Sequence, residues 1–443
     1  MLAHPPLQLA KRWLAKAGFS LLDQGALSGG NFVLNVLLAL WLPYAEYGAF
    51  ATAFSFFLFV SSFHNALVLE PLSSLGPAQG DRSIPGYLSG VTRFHILLTI
   101  GLGALTAMGG LLVEGSLRSS LWAIAAMLPV MLLLWLVRRE FYLNTSPETA
   151  AAATCIYTAA LLLGVLGLRS GGRLSPATAY LFMGLASAVA CAAVWNRLRR
   201  TRNATGGAAP TGHGSDVATV VRDHWRYGRW LAGGALLSLA STHAPVLLAA
   251  RMLGLEAAGV LRAMQVFMLP MVQVILALGL LGLPVLSRQH AEGDTSRMRA
   301  SGMALTAGLT LFAVLYEVVL FLGADTLQRI LFGQKYADAA WLIPIFGLVP
   351  VFTAIVTGYS LMLRAVQRPE YYLIAHGVAA PVALLASLAL IRSWGLGGAA
   401  ASVVIANAAF ALVVYVLYRL RVSIGGGYQG MRAISRRFRS SPG

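Results

Sequence analysis

The residues of this sequence that could do chemistry are polar side chains set inside long apolar runs. Such residues are costly to place in lipid, about 2.5–3.5 kcal/mol for a charge at the centre of a membrane span, so their positions are informative. Many recur every three or four residues, which puts them on one face of a helix. The candidates, in chain order, are Asp23, Asn31, Asn35, Arg93, Arg262, Gln265, Gln273, Glu317 and Arg364.

One hydrophilic face on each of several helices predicts a water-filled cavity between helix bundles. The alternative is that each polar group bonds a carbonyl of its own helix or holds neighbouring helices together. Arg262 lies a turn inside its run, where it either extends to the membrane surface or lines the cavity. Arg93 and Arg364 lie near the ends of their runs, where membrane topology by itself accounts for a cation. Glu317 either pairs with an arginine, accepts a proton or bonds a neighbouring helix.

No arrangement of residues in the sequence indicates catalysis or a metal site. The phosphate-binding loop motif, the HExxH zinc motif and paired cysteines are all missing. The eight histidines are scattered, and Cys155 and Cys191 both lie inside apolar runs. We therefore expect a protein that is not an enzyme and that uses neither a cofactor nor a metal.

The elements that must position these residues are membrane spans. Hydrophobic residues make up 58% of the 443 residues and charged residues only 11%, too few to cover a water-soluble fold of this length. Runs of about 20 apolar residues recur, each long enough to cross the hydrocarbon core as a helix. We expect an all-α polytopic membrane protein. The twelve predicted spans centre on Val33, Phe59, Ile100, Leu128, Tyr157, Leu185, Leu239, Pro270, Leu311, Val351, Val382 and Ala409.

The basic residues predict the orientation of these spans. With both termini in the cytoplasm, 24 of the 33 Lys and Arg residues fall on cytoplasmic segments and 7 on outer segments; Arg93 and Arg262 lie inside spans. This excess is the cytoplasmic bias that orients membrane proteins. It explains most of the net charge of +17, so we expect no nucleic-acid partner, although attraction to an anionic substrate or lipid is a second interpretation.

The chain divides into two similar halves. Aligning Gly48 with Gly259 also aligns residues 37–39 with residues 248–250, as expected for a duplicated membrane unit. We predict two six-helix bundles related by an axis along the membrane normal. The predicted segments are a basic amphipathic stretch (1–17), the first bundle (18–195), a cytoplasmic linker (196–226), the second bundle (227–420) and a basic cytoplasmic tail (421–443).

Three short motifs resemble those of a known family. Residues 331–339 fit the pattern LFG-x-x-Y-x-x-A between the ninth and tenth predicted spans. The turn at residues 43–48 has a counterpart at 254–259, and a Gly-Ala-rich segment at 395–400 precedes the last span. In these motifs the sequence resembles the polysaccharide-transporter branch of the MOP flippase superfamily, which includes the Wzx-type O-antigen flippases and is related to MurJ and the MATE exporters.

The resemblance implies a flippase with a MATE/MurJ-like fold in the bacterial inner membrane. It would carry an undecaprenyl-diphosphate-linked oligosaccharide to the outer leaflet by alternating access, in contact with membrane lipids and alongside a polysaccharide polymerase and glycosyltransferases. On this basis Arg93, Arg262 and Arg364 are candidates for the diphosphate, and Asn31, Asn35, Gln265 and Gln273 for the sugars. Asp23 and Glu317 are candidates for ion coupling, with the membrane potential as the other energy source.

Two other functions are compatible with parts of the sequence. A MATE-like cation-coupled exporter of small organic cations would favour an acidic cavity, whereas these spans contain more Arg than carboxylate. A polysaccharide polymerase or glycosyltransferase would need a large outer loop with paired catalytic groups, and the predicted loops are short. MurJ-like proteins have two more spans and a cationic cluster in the first, and these differences argue against lipid II as the substrate.

Overall fold

The computed structural model describes residues 6–76, 84–144, 146–204, 217–242, 244–365 and 370–420. The regular structure of these residues is helical throughout. The helices in chain order are α1 (Pro6–Trp41), α2 (Tyr44–His64), α3 (Glu70–Leu75), α4 (Ile84–Leu111), α5 (Gly115–Leu143), α6 (Pro147–Ser170), α7 (Pro176–Ala204), α8 (Val217–Thr242), α9 (Ala244–Leu253), α10 (Leu255–Gln265), α11 (Leu269–Ala291), α12 (Thr295–Phe332), α13 (Leu342–Ala365) and α14 (Glu370–Tyr418). A π-helix (Asn65–Leu69) joins α2 to α3, and 3₁₀ turns lie at Val266–Met268 and Ala337–Ala339.

The apolar runs have become these helices, as predicted. Nine helices within the described ranges are long and apolar enough to cross a membrane. All twelve predicted span centres fall inside helices, two of them in α14. The helices α1 and α8 contain the predicted first and seventh centres although they are not among the nine. The all-α membrane fold is thus confirmed, while the orientation of the termini stays a prediction.

Glycine sets two of the breaks between helices. Gly254 separates α9 from α10 with φ +93°, and Gly395 divides α14 into two helices with φ +55°. Residues with a Cβ rarely adopt such angles, because the side chain collides with the following carbonyl. The break at Gly395 lies between the predicted eleventh and twelfth spans.

The first compact unit contains the described residues within Met1–Leu236 and Leu253–Ala263. Its centre is α5, which packs against α2, α4 and α7, while α1 packs against α6. Its core includes a stack of rings in which Tyr180 lies on Phe50, with 4.9 Å between the ring centroids. The Tyr180 hydroxyl donates to the Phe50 carbonyl at 2.7 Å, so the buried phenol is satisfied.

The second compact unit contains the described residues within Leu237–Met252 and Met264–Gly443. Its centre is α13, which packs against α11, α12 and α14. Small residues permit this packing: a Cβ on Gly302 would collide with the Met362 side chain.

The predicted segment boundaries stay predictions, with two observations beside them. Residues 196–204 and 217–226 of the predicted linker are helical, as ends of α7 and α8. Residues 6–17 of the predicted amphipathic stretch are helical and form the first part of α1. Residues 1–5, 205–216 and the predicted tail beyond residue 420 lie outside the described ranges.

Candidate functional site

The structure brings three of the predicted site residues together in the first unit, around Arg262 of α10. Arg262 Nε donates to the side-chain oxygen of Asn35 on α1 at 3.3 Å. The Tyr47 hydroxyl on α2 donates to the same oxygen at 3.5 Å. The Asn35 amide nitrogen in turn donates to the Asn31 carbonyl at 2.8 Å, which fixes the orientation of the amide. We call Asn31, Asn35, Tyr47, Phe54 and Arg262 the arginine cluster.

The arginine cluster carries an uncompensated positive charge. Within the described residues Arg262 forms no ion pair with a carboxylate. Its guanidinium carbon lies 5.6 Å from the Phe54 ring centroid, a cation–π contact. A guanidinium has five N–H donors in a planar fork, and one of the five is used on Asn35. The arrangement is therefore suited to an anion with several oxygens, such as a phosphate.

A small cavity lies beside the arginine cluster inside the first unit. Its volume is about 50 Å³, and its lining includes Asn31, Phe54, Trp135, Tyr157 and Ser187. This volume accommodates water, which needs roughly 10–15 Å³. The cavity is too small for a sugar diphosphate.

The other predicted diphosphate and sugar residues are not members of the arginine cluster. Arg93 is exposed on α4, and Arg364 is exposed in the last turn of α13 in the second unit. Gln265 follows Arg262 by one turn and is buried where α10 passes into a 3₁₀ turn. Gln273 is half-buried on α11. Their assignment to substrate binding stays a prediction.

Asp23 is a buried and fully paired carboxylate. Arg138 of α5 binds it through two parallel hydrogen bonds, of 2.7 Å and 3.1 Å. The Tyr142 hydroxyl donates to it at 2.7 Å, and the Thr154 hydroxyl of α6 is a further donor. Only 2% of Asp23 is exposed, so this network ties α1, α5 and α6 together. The geometry favours a structural role; ion coupling by Asp23 stays a prediction.

A second buried ion pair was missed by the sequence reasoning. Glu140 of α5 is completely buried, and Arg202 of α7 binds it at 2.6 Å and 3.0 Å. The same guanidinium donates to the Thr92 hydroxyl of α4 at 3.2 Å. Nothing local in the sequence links the two residues, because Glu140 and Arg202 are 62 positions apart.

Glu317 lies where α12 packs against α13 in the second unit. Its Oε2 atom is buried and has no hydrogen-bond partner within the described residues. A Cβ on Gly347 of α13 would overlap this carboxylate, and one on Gly358 would overlap the Thr306 hydroxyl. The face of α12 that carries Thr306 and Glu317 is thus a packing surface against small residues. A buried carboxylate oxygen without a donor is unfavourable unless it holds a proton or a cation, so Glu317 remains a candidate for ion coupling.

The aromatic members of the arginine cluster, Tyr47 and Phe54, were not predicted as site residues. Tyr47 lies in the turn 43–48 that marks the internal repeat, which was the available signal. Phe54 follows seven residues later on the same face of α2, and the rings of Tyr47, Phe50 and Phe54 stack in succession.

Comparison with known proteins gives a family match over part of the chain and a fold match over most of it. A model of a polysaccharide biosynthesis protein family matches residues 216–341. An inward-facing multidrug resistance MATE transporter of the MOP superfamily aligns with a TM-score of 0.73 at 12% identity, covering 90% of this chain and 95% of that chain. The lipid II flippase MurJ aligns with a TM-score of 0.69 at 12% identity, covering 92% and 86%. A Vibrio cholerae MATE transporter aligns at 0.64 and 13% identity, covering 94% and 97%. By sequence, no curated protein matches the chain.

Proposed function

We propose, from the MOP-superfamily fold and the polysaccharide biosynthesis match, that this chain is a flippase for lipid-linked oligosaccharides. Its neighbours in fold are transporters and flippases rather than enzymes. The substrate is an oligosaccharide joined through a diphosphate to undecaprenol. Transport runs from the cytoplasmic to the outer leaflet of a bacterial inner membrane, by alternating access, and serves O-antigen or exopolysaccharide synthesis.

The observation that carries the proposal is the arginine cluster. A diphosphate needs a cation whose donors are not already taken, and Arg262 has no carboxylate partner within the described residues. Sugars are bound by amides and aromatic rings, and Asn35, Tyr47 and Phe54 adjoin the guanidinium. Arg262 also lies inside the segment that matches the polysaccharide biosynthesis family.

The charge of the first unit argues against the runner-up function, a MATE-like exporter of small organic cations. An organic cation requires an available carboxylate, and the two buried carboxylates among the described residues of this unit are both paired with arginines. Asp23 is bound by Arg138 and Glu140 by Arg202. Drug efflux from vesicles that contain the purified protein would restore this alternative.

The first prediction concerns Arg262. We expect Arg262→Gln to reduce flipping of the lipid-linked oligosaccharide, because a hydrogen bond from a charged donor contributes about 1.5–3 kcal/mol, or roughly ten- to a hundredfold in binding. Arg262→Lys keeps the charge and loses the planar fork, so an intermediate rate is expected. The measurement is substrate flipping in vesicles, together with surface polysaccharide in cells that lack the wild-type gene.

The matched control is Arg288→Gln. Arg288 lies in the last turn of α11, is exposed to solvent and is paired with Glu292. The substitution should leave flipping unchanged. Equal rates for Arg262→Gln and Arg288→Gln would contradict the role of Arg262. If cells without the protein kept normal surface polysaccharide and accumulated no lipid-linked repeat unit, the proposed function itself would be wrong.

The proposed function implies further protein partners, and it is compatible with two energy sources. Glycosyltransferases on the cytoplasmic side would supply the substrate, and a polymerase at the outer face would use the product. Coupling to protons or sodium through Asp23 or Glu317, and the membrane potential acting on the substrate charge, are both compatible with the proposal.

A further inference from the structure

Two histidines that the sequence analysis treated as unrelated form a buried pair in the first unit. His64 Nε2 lies 2.9 Å from His95 Nδ1, and the rings meet edge to face. His95 Nε2 lies 3.1 Å from the Pro129 carbonyl oxygen of α5. His64 is completely buried and His95 is 1% exposed. The residues are 31 positions apart, at the end of α2 and inside α4.

The hydrogen bonds of the pair determine where its protons lie. A carbonyl oxygen only accepts, so His95 Nε2 must carry a proton. A neutral imidazole has one N–H, so His95 Nδ1 accepts and His64 Nε2 donates. His64 Nδ1 is then left with a bare lone pair, and this buried atom has no hydrogen-bond partner among the described residues. His64 Nδ1 is thus a basic nitrogen that can accept one more proton.

The helices around the pair offer no carboxylate that would hold it permanently charged. Within the described ranges neither ring bonds an acidic side chain. The titratable and charged groups on the neighbouring helices include Glu70, near Arg139; Glu140, bound by Arg202; Asp23, bound by Arg138; exposed Arg93; and Tyr87 and Asp223 beside buried His224. A proton on His64 would therefore create a buried, uncompensated charge that favours a rearranged state.

The backbone beside His64 can undergo such a rearrangement. The π-helix Asn65–Leu69 begins directly after His64, and π-turns concentrate at functional sites. Converting a π-turn to an α-turn removes one residue from the turn and would rotate the preceding segment by roughly 100°. The π-helix is held by α8: His224 Nδ1 donates to the Leu67 carbonyl at 2.9 Å, and a Cβ on Gly228 would overlap the Ala66 carbonyl.

We propose that the His64–His95 pair is a proton-binding site that couples transport to a proton gradient. A proton from water binds His64 Nδ1, the histidine becomes an imidazolium, and its charge drives the π-helix to a second register. Release of the same proton restores the present arrangement. The proton site rests on the geometry alone, whereas its coupling to transport rests on the proposed flippase function.

The first experiment needs no substrate. The full chain is placed in lipid nanodiscs with ¹⁵N-labelled histidine, and the ring nitrogens are followed by NMR as the pH is lowered. We expect a bare Nδ1 on His64 at neutral pH that becomes protonated in acid, and proton uptake that exceeds that of His64→Gln by one per chain. A protonated Nδ1 at neutral pH, or no titration before unfolding, overturns the site.

The matched control is His376→Gln, which also removes a buried histidine. His376 lies on α14, outside the first unit, which contains the His64–His95 pair. Its removal should leave the titration of His64 intact. If His64→Gln fails to fold, the spectra of the wild-type chain still decide the question.

The second experiment uses vesicles with an imposed pH gradient and a lipid-linked oligosaccharide. In the wild-type protein the gradient should accelerate flipping, and in His64→Gln the ratio of rates with and without the gradient should fall to one. The coupling is overturned if the wild-type rate is the same with and without the gradient. It is also overturned if the ratio of the two rates in His64→Gln equals that of the wild type. Failure of the wild type to flip any lipid-linked oligosaccharide contradicts the flippase function and leaves the NMR result standing.

Discussion

At the scale of the residue, the first unit contains two kinds of charged side chain. Asp23 and Glu140 are paired with arginines, whereas Arg262 has no carboxylate partner among the described residues. Asp23 and Glu140 each lie buried against an arginine that binds through two hydrogen bonds. Arg262 is bonded to a neutral amide instead. Removing one partner of a buried pair leaves an uncompensated charge, whereas an arginine held by an amide keeps its charge for a ligand. Under the proposed function, this difference separates the arginines that hold helices together from the arginine that would bind the substrate.

The ion pair of Asp23 leads to a prediction about stability. We expect Asp23→Asn to destabilise the protein by about 3–5 kcal/mol, because the half-buried Arg138 would lose its buried counter-ion. The measurement is the thermal unfolding midpoint of the purified protein in detergent. Glu292→Gln is the control, since its exposed pair with Arg288 contributes only about 0–1 kcal/mol. Similar midpoints for the two variants would show that the buried pair does not hold the helices together.

At the scale of the element, the repeated turns meet inside the first unit. A Cβ on Gly48 of α2 would overlap the Leu255 carbonyl, and one on Gly259 of α10 would lie 2.5 Å from the Tyr44 carbonyl oxygen. The alignment of the two halves that pairs Gly48 with Gly259 also pairs Tyr44 with Leu255. The two contacts are therefore equivalent, and the internal repeat contacts itself through glycine backbones.

This crossing leads to a prediction about packing. We expect Gly48→Ala to destabilise the protein by about 1–3 kcal/mol, because the added methyl group must push two backbones apart. Gly25→Ala on α1 is the matched control: a Cβ there has no heavy atom within 4 Å, and alanine is the better helix former. Unfolding midpoints compare the two. A Gly48→Ala protein as stable as Gly25→Ala would mean that α2 and α10 do not touch at this point.

At the scale of the whole molecule, the distribution of arginines predicts which loops face the cytoplasm. We expect Arg173, after α6, to lie outside and Arg288, at the end of α11, to lie inside. In a chain with Cys155 and Cys191 replaced by alanine, a membrane-impermeant maleimide should label Arg173→Cys in intact cells. It should label Arg288→Cys only after permeabilisation. The reverse pattern would invert the predicted topology, and labelling of both in intact cells would contradict the span count between them.

Much of the fold was predictable because a membrane imposes simple rules on sequence. A span must be apolar over about 20 residues, and cations gather at the cytoplasmic ends. These rules located all twelve predicted centres inside helices, including the two on either side of Gly395. Polar stripes were predictable in the same way, since helical spacing fixes which residues share a face.

What each polar face meets was decided by tertiary structure alone. The face of α12 that carries Thr306 and Glu317 packs on Gly347 and Gly358. Asn35 instead bonds Arg262, which lies 227 residues farther along the chain. His64 and His95 looked unrelated until packing placed them within 2.9 Å. Sequence periodicity records the direction of a side chain relative to its own helix; its partners depend on the rotation and height at which another helix packs against it, and these arise from contacts between distant residues.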